Sequence, residues 1–204
     1  MTGAADPTRL LAVLRLTAAT LEARQQRWAL VGGLAVSIRC EPRFTRDIDL
    51  AVAVGNDAEA EALVAHLLAA GYRLRLSLEH RALDRLAAIR LSPPREPDEG
   101  IVVDLLFASS GIEADICAQA DRIALPGGLS VPVAQTGHLV ATKLLAIAPD
   151  RPQDGVDLHS LRAQLTEPDR DRARRAVARI EALGANRGRP LRADLERWLD
   201  PGSR

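Results

Sequence analysis

The sequence predicts an α/β (α+β) fold in which helices flank a mixed β-sheet and a helical region follows. Short apolar runs typical of buried strands alternate with helical periodicity up to about residue 134, and after Thr136 the periodicity is only helical. The chain has 204 residues, 47% of them hydrophobic, which is enough for one ordinary domain or two small ones. We therefore predict an α/β core over residues 1–134, which includes an N-terminal helix. A helical region over residues 135–204 packs on this core.

The individual elements follow from apolar patterns and the turn residues between them. Leucines recur at helical spacing from Pro7 to about Arg24, where a helix is predicted. The apolar run 28–31 predicts a buried strand, and the Gly-Gly pair after it predicts a tight turn into a short helix over 34–39. Further patterns predict strands over 47–54, 72–78, 86–91 and 101–107, helices over 58–70 and 112–120, a hairpin over 122–133, and C-terminal helices over about 137–148, 154–164, 168–184 and 190–199.

Composition and charge exclude several classes of protein. The 27 basic residues balance the 27 acidic ones, so the chain has no general electrostatic attraction to nucleic acid. Aromatic residues make up only 2%, which argues against a base-stacking surface, and two cysteines exclude a disulfide framework. No apolar stretch reaches the roughly 18 residues of a membrane span, and the N-terminal residues lack the pattern of a secretory signal. We therefore expect a cytoplasmic protein with no membrane contact.

Two acids share one face of a predicted strand, and a third interrupts a later strand. Asp47 and Asp49 are two residues apart, so they point to the same face. Carboxylates this close raise each other's pKa unless a cation neutralises them, and their oxygens suit Mg²⁺. Asp104 is the one acid in the apolar run 101–107, where an unpaired charge would be costly. If the two strands are neighbours, the three acids can hold two Mg²⁺ for in-line displacement at phosphorus.

A glycine turn supplies the other half of this pattern. Gly32 and Gly33 lie between a strand and a helix, where glycine lets the backbone approach a ligand and the helix N-terminus favours an anion. We expect a triphosphate to bind there. Each feature alone has a simpler interpretation: the Gly-Gly pair is only a turn, the Asp-x-Asp pair lies on a solvated edge, and Asp104 pairs with an arginine. Their order along one chain favours the site.

This ordered pattern resembles the nucleotidyltransferase superfamily, which has the DNA polymerase beta-like fold. The matching residues are Val31-Gly32-Gly33, Asp47-Ile48-Asp49 and Val103-Asp104-Leu105. Within the superfamily the chain is most similar to the AbiEii/AbiGii-type toxins, through Gly32-Gly33-Leu34-Ala35 and Arg43-Phe44-Thr45-Arg46-Asp47-Ile48-Asp49-Leu50. The resemblance implies a nucleotidyltransferase-fold sheet, with Thr45 and Arg46 near the phosphates.

The resemblance also implies functional residues in the helical region. Those toxins carry a later helical lysine and a downstream Arg/Asp cluster, which are matched here by Lys143 and by the run 151–157. Lys143 is the only lysine among the 27 basic residues, and its compact ammonium is a suitable phosphate partner. We expect Arg151 to contact phosphate and Asp157 to be catalytic. Asp154 either shares a helix face with Asp157, where one of them orients Lys143 or the acceptor, or only caps the helix.

We therefore predict a Mg²⁺-dependent nucleotidyltransferase that moves an NMP from an NTP to an acceptor and releases pyrophosphate. Asp104 or the metal environment would take the acceptor proton. By resemblance the acceptor is the 3′ end of tRNA, and the protein is the toxin of a bacterial toxin–antitoxin or phage-defence system, with a cognate antitoxin as partner. Three alternatives stay open: transfer to a protein side chain, transfer to an antibiotic hydroxyl, and nucleotide binding without catalysis.

Overall fold

The strands of the chain form one mixed sheet in the computed structural model, which describes residues 7–42, 45–80, 84–148 and 151–200. In chain order they are β1 (Trp28–Val31), β2 (Asp47–Val52), β3 (Arg73–His80), β4 (Arg85–Ser92), β5 (Val102–Leu106), β6 (Asp121–Leu125) and β7 (Leu129–Val133). Their order across the sheet is β3-β4-β5-β2-β1-β7-β6. β2 and β5 are parallel neighbours, whereas β1 and β4 run antiparallel to them. The predicted mixed sheet is confirmed.

Helices flank this sheet and then continue alone to the end of the described chain. They are α1 (Pro7–Ala23), α2 (Gly32–Arg39), α3 (Asp57–Ala69), α4 (Glu113–Gln119), α5 (Thr136–Ala146), α6 (Pro152–Ala163), α7 (Glu167–Ala182) and α8 (Leu191–Leu199). Their ends differ by only a few residues from the predicted ones. The main difference is α2, which includes the glycines predicted to form a separate turn. Gly32, with a φ of 62°, turns the chain directly from β1 into this helix.

Local signals explain where two of the helices begin. The Asn56 side chain caps α3 by accepting a hydrogen bond from the backbone N–H of Glu59. Thr166 and Asp169 form a reciprocal capping box at the start of α7. None of the described helices combines the length and the apolar character needed to cross a bilayer.

Buried side chains from both predicted regions belong to one hydrophobic cluster. It includes Leu14 of α1 and Leu30 and Leu50 of the central strands. From the C-terminal helices it includes Leu139, Leu161, Val177, Ile180 and Leu195. α5 packs against α7, and both α5 and α6 pack against α2, the helix that follows the glycine turn. Helices α5 and α6 therefore lie beside the helix that follows β1, while the division of the chain at residue 134 stays a prediction.

Candidate active site

The central strands align three charged side chains and one valine in one row across the sheet. In register order the row is Arg90 of β4, Asp104 of β5, Asp49 of β2 and Val31 of β1. Side chains of register partners on adjacent strands project to the same face, so the carboxylates of Asp49 and Asp104 are neighbours. The alternation along β2 adds Asp47 to that face, while the residues between and after the two acids are buried. The two strands that carry the acids are thus adjacent, as the predicted three-acid cluster requires.

Burial and mutual repulsion disfavour the charged forms of two of these acids. Burial raises the pKa of Asp49 to about 7, and the charges of Asp104 and Asp47 act in the same direction. The pKa of Asp47 is also raised, mainly by burial, although Arg90 opposes this. A cation bound between these carboxylates would relieve the cost of ionising them.

Arg90 is a cation that the row already contains. Its Nε and Nη2 atoms donate to the two carboxylate oxygens of Asp104 at 2.8 and 2.6 Å. Its Nη2 also lies 3.6 Å from Oδ2 of Asp47. The hydrogen bonds to Asp104 are the main reason that the pKa of Arg90 is raised. The pairing of Asp104 with an arginine, one of the simpler interpretations of its position, is therefore present within the acid cluster.

The carboxylates that remain suit a hard cation. Within the part of the chain that the structure describes, no three His, Cys, Asp or Glu side chains have the spacing of a metal centre. Both oxygens of Asp104 accept hydrogen bonds from Arg90, whereas Asp47 and Asp49 would offer Mg²⁺ oxygens that are not held by this two-point contact. Two carboxylates are a sufficient protein contribution, because Mg²⁺ at such sites takes its other ligands from phosphate and water.

Gly32 allows Asp49 to lie directly against the start of α2. A Cβ atom at position 32 would be 1.9 Å from Oδ2 of Asp49, far inside the distance that two such atoms tolerate. The φ of 62° is also one that other residues rarely adopt. The conformation and the close approach therefore both require glycine at this position.

A second charged cluster comes from the helical region. Lys143 of α5 is buried, and its Nζ lies 2.7 Å from Oδ1 of Asp154 and 2.7 Å from Oδ2 of Asp157, both on α6. Arg151 contacts the other Asp154 oxygen at 3.2 Å. The N-cap of α6 is Arg151, so the alternative in which Asp154 only caps this helix is wrong. Asp154 binds Lys143, whose charge partly opposes the rise that burial causes in the pKa of Asp49.

Both clusters border one cavity of about 420 Å³. Among the predicted site residues, those in its lining are Gly32, Asp49, Asp104, Lys143 and Arg151. Asp47 and Asp157 are not lining residues, but Asp47 approaches Arg90 and Asp157 contacts Lys143, both of which line the cavity. The other predicted phosphate contacts are not among the lining residues: Gly33 is buried in α2, and Thr45 and Arg46 precede β2. Arg43 and Phe44 fall outside the described residues.

Three charged lining residues were not predicted from the sequence. Arg90 faces the cavity from β4, Glu113 from the start of α4, and Arg187 from the turn between α7 and α8. Glu113 is buried, and its Oε1 accepts hydrogen bonds from the Ser110 N–H and hydroxyl at 2.7 and 2.8 Å. The sequence signal for Arg90 was its position as a charged residue inside the weakly alternating strand β4. Glu113 and Arg187 reach the cavity only through tertiary packing.

The match to a known family extends over nearly the whole chain. Residues 15–202 match the family described as nucleotidyl transferase AbiEii toxin, type IV toxin–antitoxin system. The chain belongs to the AbiEii family. The resemblance inferred from the sequence is confirmed, and this AbiEii-family protein is a nucleotidyltransferase, an enzyme that uses an NTP. Membership of a toxin–antitoxin family also suggests an antitoxin as partner.

Solved structures of other proteins are similar to this chain to different degrees. An antigenic nucleotidyltransferase-like protein from Paracoccidioides brasiliensis superposes with a TM-score of 0.57 at 17% identity, over 97% of this chain and 95% of its own. The lincomycin-bound lincosamide adenylyltransferase LnuA reaches 0.48 at 16% identity, over 80% and 100%. The nucleotidyltransferase toxin MenT4 of Mycobacterium tuberculosis H37Rv reaches 0.43 at 18% identity, over 74% and 55%. The first of these shows the nucleotidyltransferase fold. No curated protein matches the sequence.

Replacing Gly32 by alanine is expected to lower kcat/KM for nucleotidyl transfer by about a hundredfold, because the new methyl group displaces Asp49. The matched control is Gly184→Ala, which has a similar φ of 70° with no atom within 4 Å of the added Cβ. Both variants should lose about 1–2 kcal/mol of stability from backbone strain, measured by denaturant unfolding. Equal activities of the two variants would show that the contact between Gly32 and Asp49 has no role in transfer.

Proposed function

We propose that this AbiEii-family enzyme transfers an NMP from an NTP to the 3′ end of tRNA in a Mg²⁺-dependent reaction. The observation that carries the proposal is the in-register pair Asp49–Asp104, which faces the Gly32 turn in the cavity that Lys143 also lines. Carboxylates for a metal, a backbone turn open to phosphate and a fixed cation are the groups that in-line displacement at phosphorus uses. As a toxin the enzyme would act in the cytoplasm, where NTPs and tRNA are present, and an antitoxin would oppose it.

The residues in and around the cavity have different roles in the proposed reaction. Asp47 and Asp49 would hold Mg²⁺, which polarises the α-phosphate and makes an acceptor hydroxyl easier to deprotonate. Lys143, oriented by Asp154 and Asp157, stabilises the negative charge that develops on the phosphates. The acceptor oxygen forms a bond to the α-phosphorus, and the bond from that phosphorus to the bridging oxygen breaks. Pyrophosphate leaves, and the hydroxyl proton passes to a carboxylate of the row.

Two arginines support an anionic acceptor. Arg151 and Arg187 both line the cavity from the helical region. Arg187 has a lowered pKa, first because of burial and then because of the nearby charge of Arg151. Adjacent cations suit the phosphodiester groups of a polynucleotide. A lincosamide or an aminoglycoside, whose amino groups are cationic, would be repelled by them, and the chain as a whole has no net charge to attract RNA.

The acceptor can be identified with NTPs labelled at the α-phosphate. The purified full-length protein is incubated with Mg²⁺ and each of the four NTPs, in the presence of total tRNA, cell protein, or a lincosamide and an aminoglycoside. We expect label on tRNA from one or more NTPs, and no label on tRNA whose 3′-terminal diol has first been oxidised with periodate. The oxidised tRNA is a matched control, because it differs from the substrate only at the proposed acceptor.

The other outcomes each contradict the tRNA proposal in a different way. Label on protein would make the enzyme a protein-modifying nucleotidyltransferase, and label on an antibiotic would make it a resistance-type enzyme. Equal labelling of intact and oxidised tRNA would exclude the 3′ end as acceptor. NTP binding with no labelled product would favour a nucleotide-binding module without catalysis.

A further inference from the structure

We propose that Arg90 takes the place of one metal ion, so that the carboxylate row binds a single divalent cation, on Asp47 and Asp49. This inference rests on the Mg²⁺-dependent function proposed above and concerns the number of ions. The sequence alone predicts two ions, because three carboxylates that converge from neighbouring strands can hold two Mg²⁺. The arginine that lies among these carboxylates changes that expectation.

The hydrogen bonds of Asp104 are the first support for a single ion. A second ion would need an oxygen of Asp104, and both oxygens already accept hydrogen bonds from one guanidinium, at 2.8 and 2.6 Å. Such a planar, two-point contact is the strongest arrangement that an arginine and a carboxylate can form. Arg90 and Asp104 are also register partners in the β4–β5 ladder, so the backbone holds the two side chains together.

The charges in the cavity are the second support. When Asp47, Asp49 and Asp104 are all ionised, as metal binding requires, they carry three negative charges, and Arg90 reduces them to two, which one divalent cation balances. The other formal charges add no surplus, because Lys143 and Arg151 are balanced by Asp154 and Asp157, and Arg187 is balanced by Glu113. Displacing Arg90 by a second ion would break two charge-assisted hydrogen bonds and leave the guanidinium without its main partner.

Arg90 is therefore a positioning residue with two effects on the site. It holds Asp104 beside Asp49, and its 3.6 Å approach to Asp47 supplies a fixed positive charge next to both remaining carboxylates. The charge is part of the protein and needs no free ion, so it is present at any Mg²⁺ concentration. Arg90 lines the cavity, which places this charge beside the space available to the triphosphate.

The number of ions can be measured directly with Mn²⁺ as the probe. Full-length protein is titrated with Mn²⁺ in the absence of nucleotide, and the free ion is followed by electron paramagnetic resonance. We expect one bound ion per wild-type chain and two per R90Q chain. R90K keeps the positive charge and should bind one ion. The matched control is R85Q, on the same strand. Arg85 lies outside this cavity, and its Nε donates to Oδ1 of Asp57 at a distance of 2.6 Å.

Each outcome supports or overturns the single-ion site. Two ions on the wild-type chain, or one ion on R90Q, would contradict it. If the enzyme still transfers NMP, neither result would contradict the proposed function. No ion on the wild-type chain, together with transfer that needs no divalent metal, would overturn the metal dependence as well. Thermal unfolding of each variant separates binding at this site from weak Mn²⁺ binding by carboxylates of unfolded chains. R90M replaces R90Q if thermal unfolding shows that R90Q does not fold.

Discussion

The Asp49→Asn enzyme is expected to lose nucleotidyl transfer by about a thousandfold in kcat/KM, as other enzymes do when a group that stabilises transition-state charge is removed. Asn has nearly the same shape as Asp but lacks the charge needed to hold Mg²⁺ beside the Gly32 turn. The matched control is Asp57→Asn, because Asp57 pairs with Arg85 outside the cavity. The measurement is transfer of label from an α-labelled NTP to tRNA. Full activity in Asp49→Asn would exclude this carboxylate from the site.

The same substitution should stabilise the metal-free protein at alkaline pH. Because the pKa of Asp49 is raised from 3.8 to about 7, the folded state holds its proton more tightly than the unfolded state does. The stability from this proton is complete below pH 3.8 and is lost as the pH rises through 7. Asn cannot ionise, so the variant's free energy of unfolding should rise relative to that of the wild type. The relative gain should be roughly 1–3 kcal/mol when the pH increases from 5 to 8. Urea unfolding in EDTA at the two pH values measures this gain, and a gain at pH 5 alone would contradict it.

The Lys143→Met enzyme is expected to lose both stability and activity. Lys143 is buried between Asp154 and Asp157, and removing one partner of a buried charge cluster typically costs about 3–5 kcal/mol. Transfer should fall by about a hundredfold or more, because the fixed cation beside the phosphates is lost. Stability is measured by urea unfolding, and activity is measured at a temperature where the variant is fully folded.

A double variant separates these two effects. In Lys143→Met with Asp157→Asn, the carboxylate that loses its ammonium partner is neutral, while Asp154 keeps its contact with Arg151. We expect part of the lost stability to return and the transfer activity to stay low. If activity returned together with stability, Lys143 would have only a structural role.

The elements of the fold could be predicted because local patterns and the tertiary structure agree. The apolar run before the Gly-Gly pair is a strand that is buried along its whole length. The two acids of β2 alternate with buried residues, as a strand with one open face requires. Asn56 caps α3 through its own side chain, a contact that sequence spacing alone identifies. Local information was sufficient in each case.

The composition of the site could be predicted only in part, because strand order is not a local property. The pairing of Arg90 with Asp104 depends on β4 lying next to β5, and nothing near either residue in sequence fixes that neighbour. Arg187 reaches the cavity from a turn between two helices far along the chain. The role of Asp154 was left open for the same reason, since its partner Lys143 lies on another helix.

The most direct test compares two labels on the same NTP. The protein is incubated with tRNA, Mg²⁺ and the preferred NTP, labelled either at the α-phosphate or at the γ-phosphate, and both tRNA and released products are analysed. Nucleotidyl transfer predicts that the α-label appears on tRNA, that the γ-label appears only in pyrophosphate, and that both signals disappear in Asp49→Asn. Label from the γ-phosphate on tRNA would mean that the cavity transfers a phosphoryl group, and it would contradict the site described for Asp47, Asp49 and Asp104.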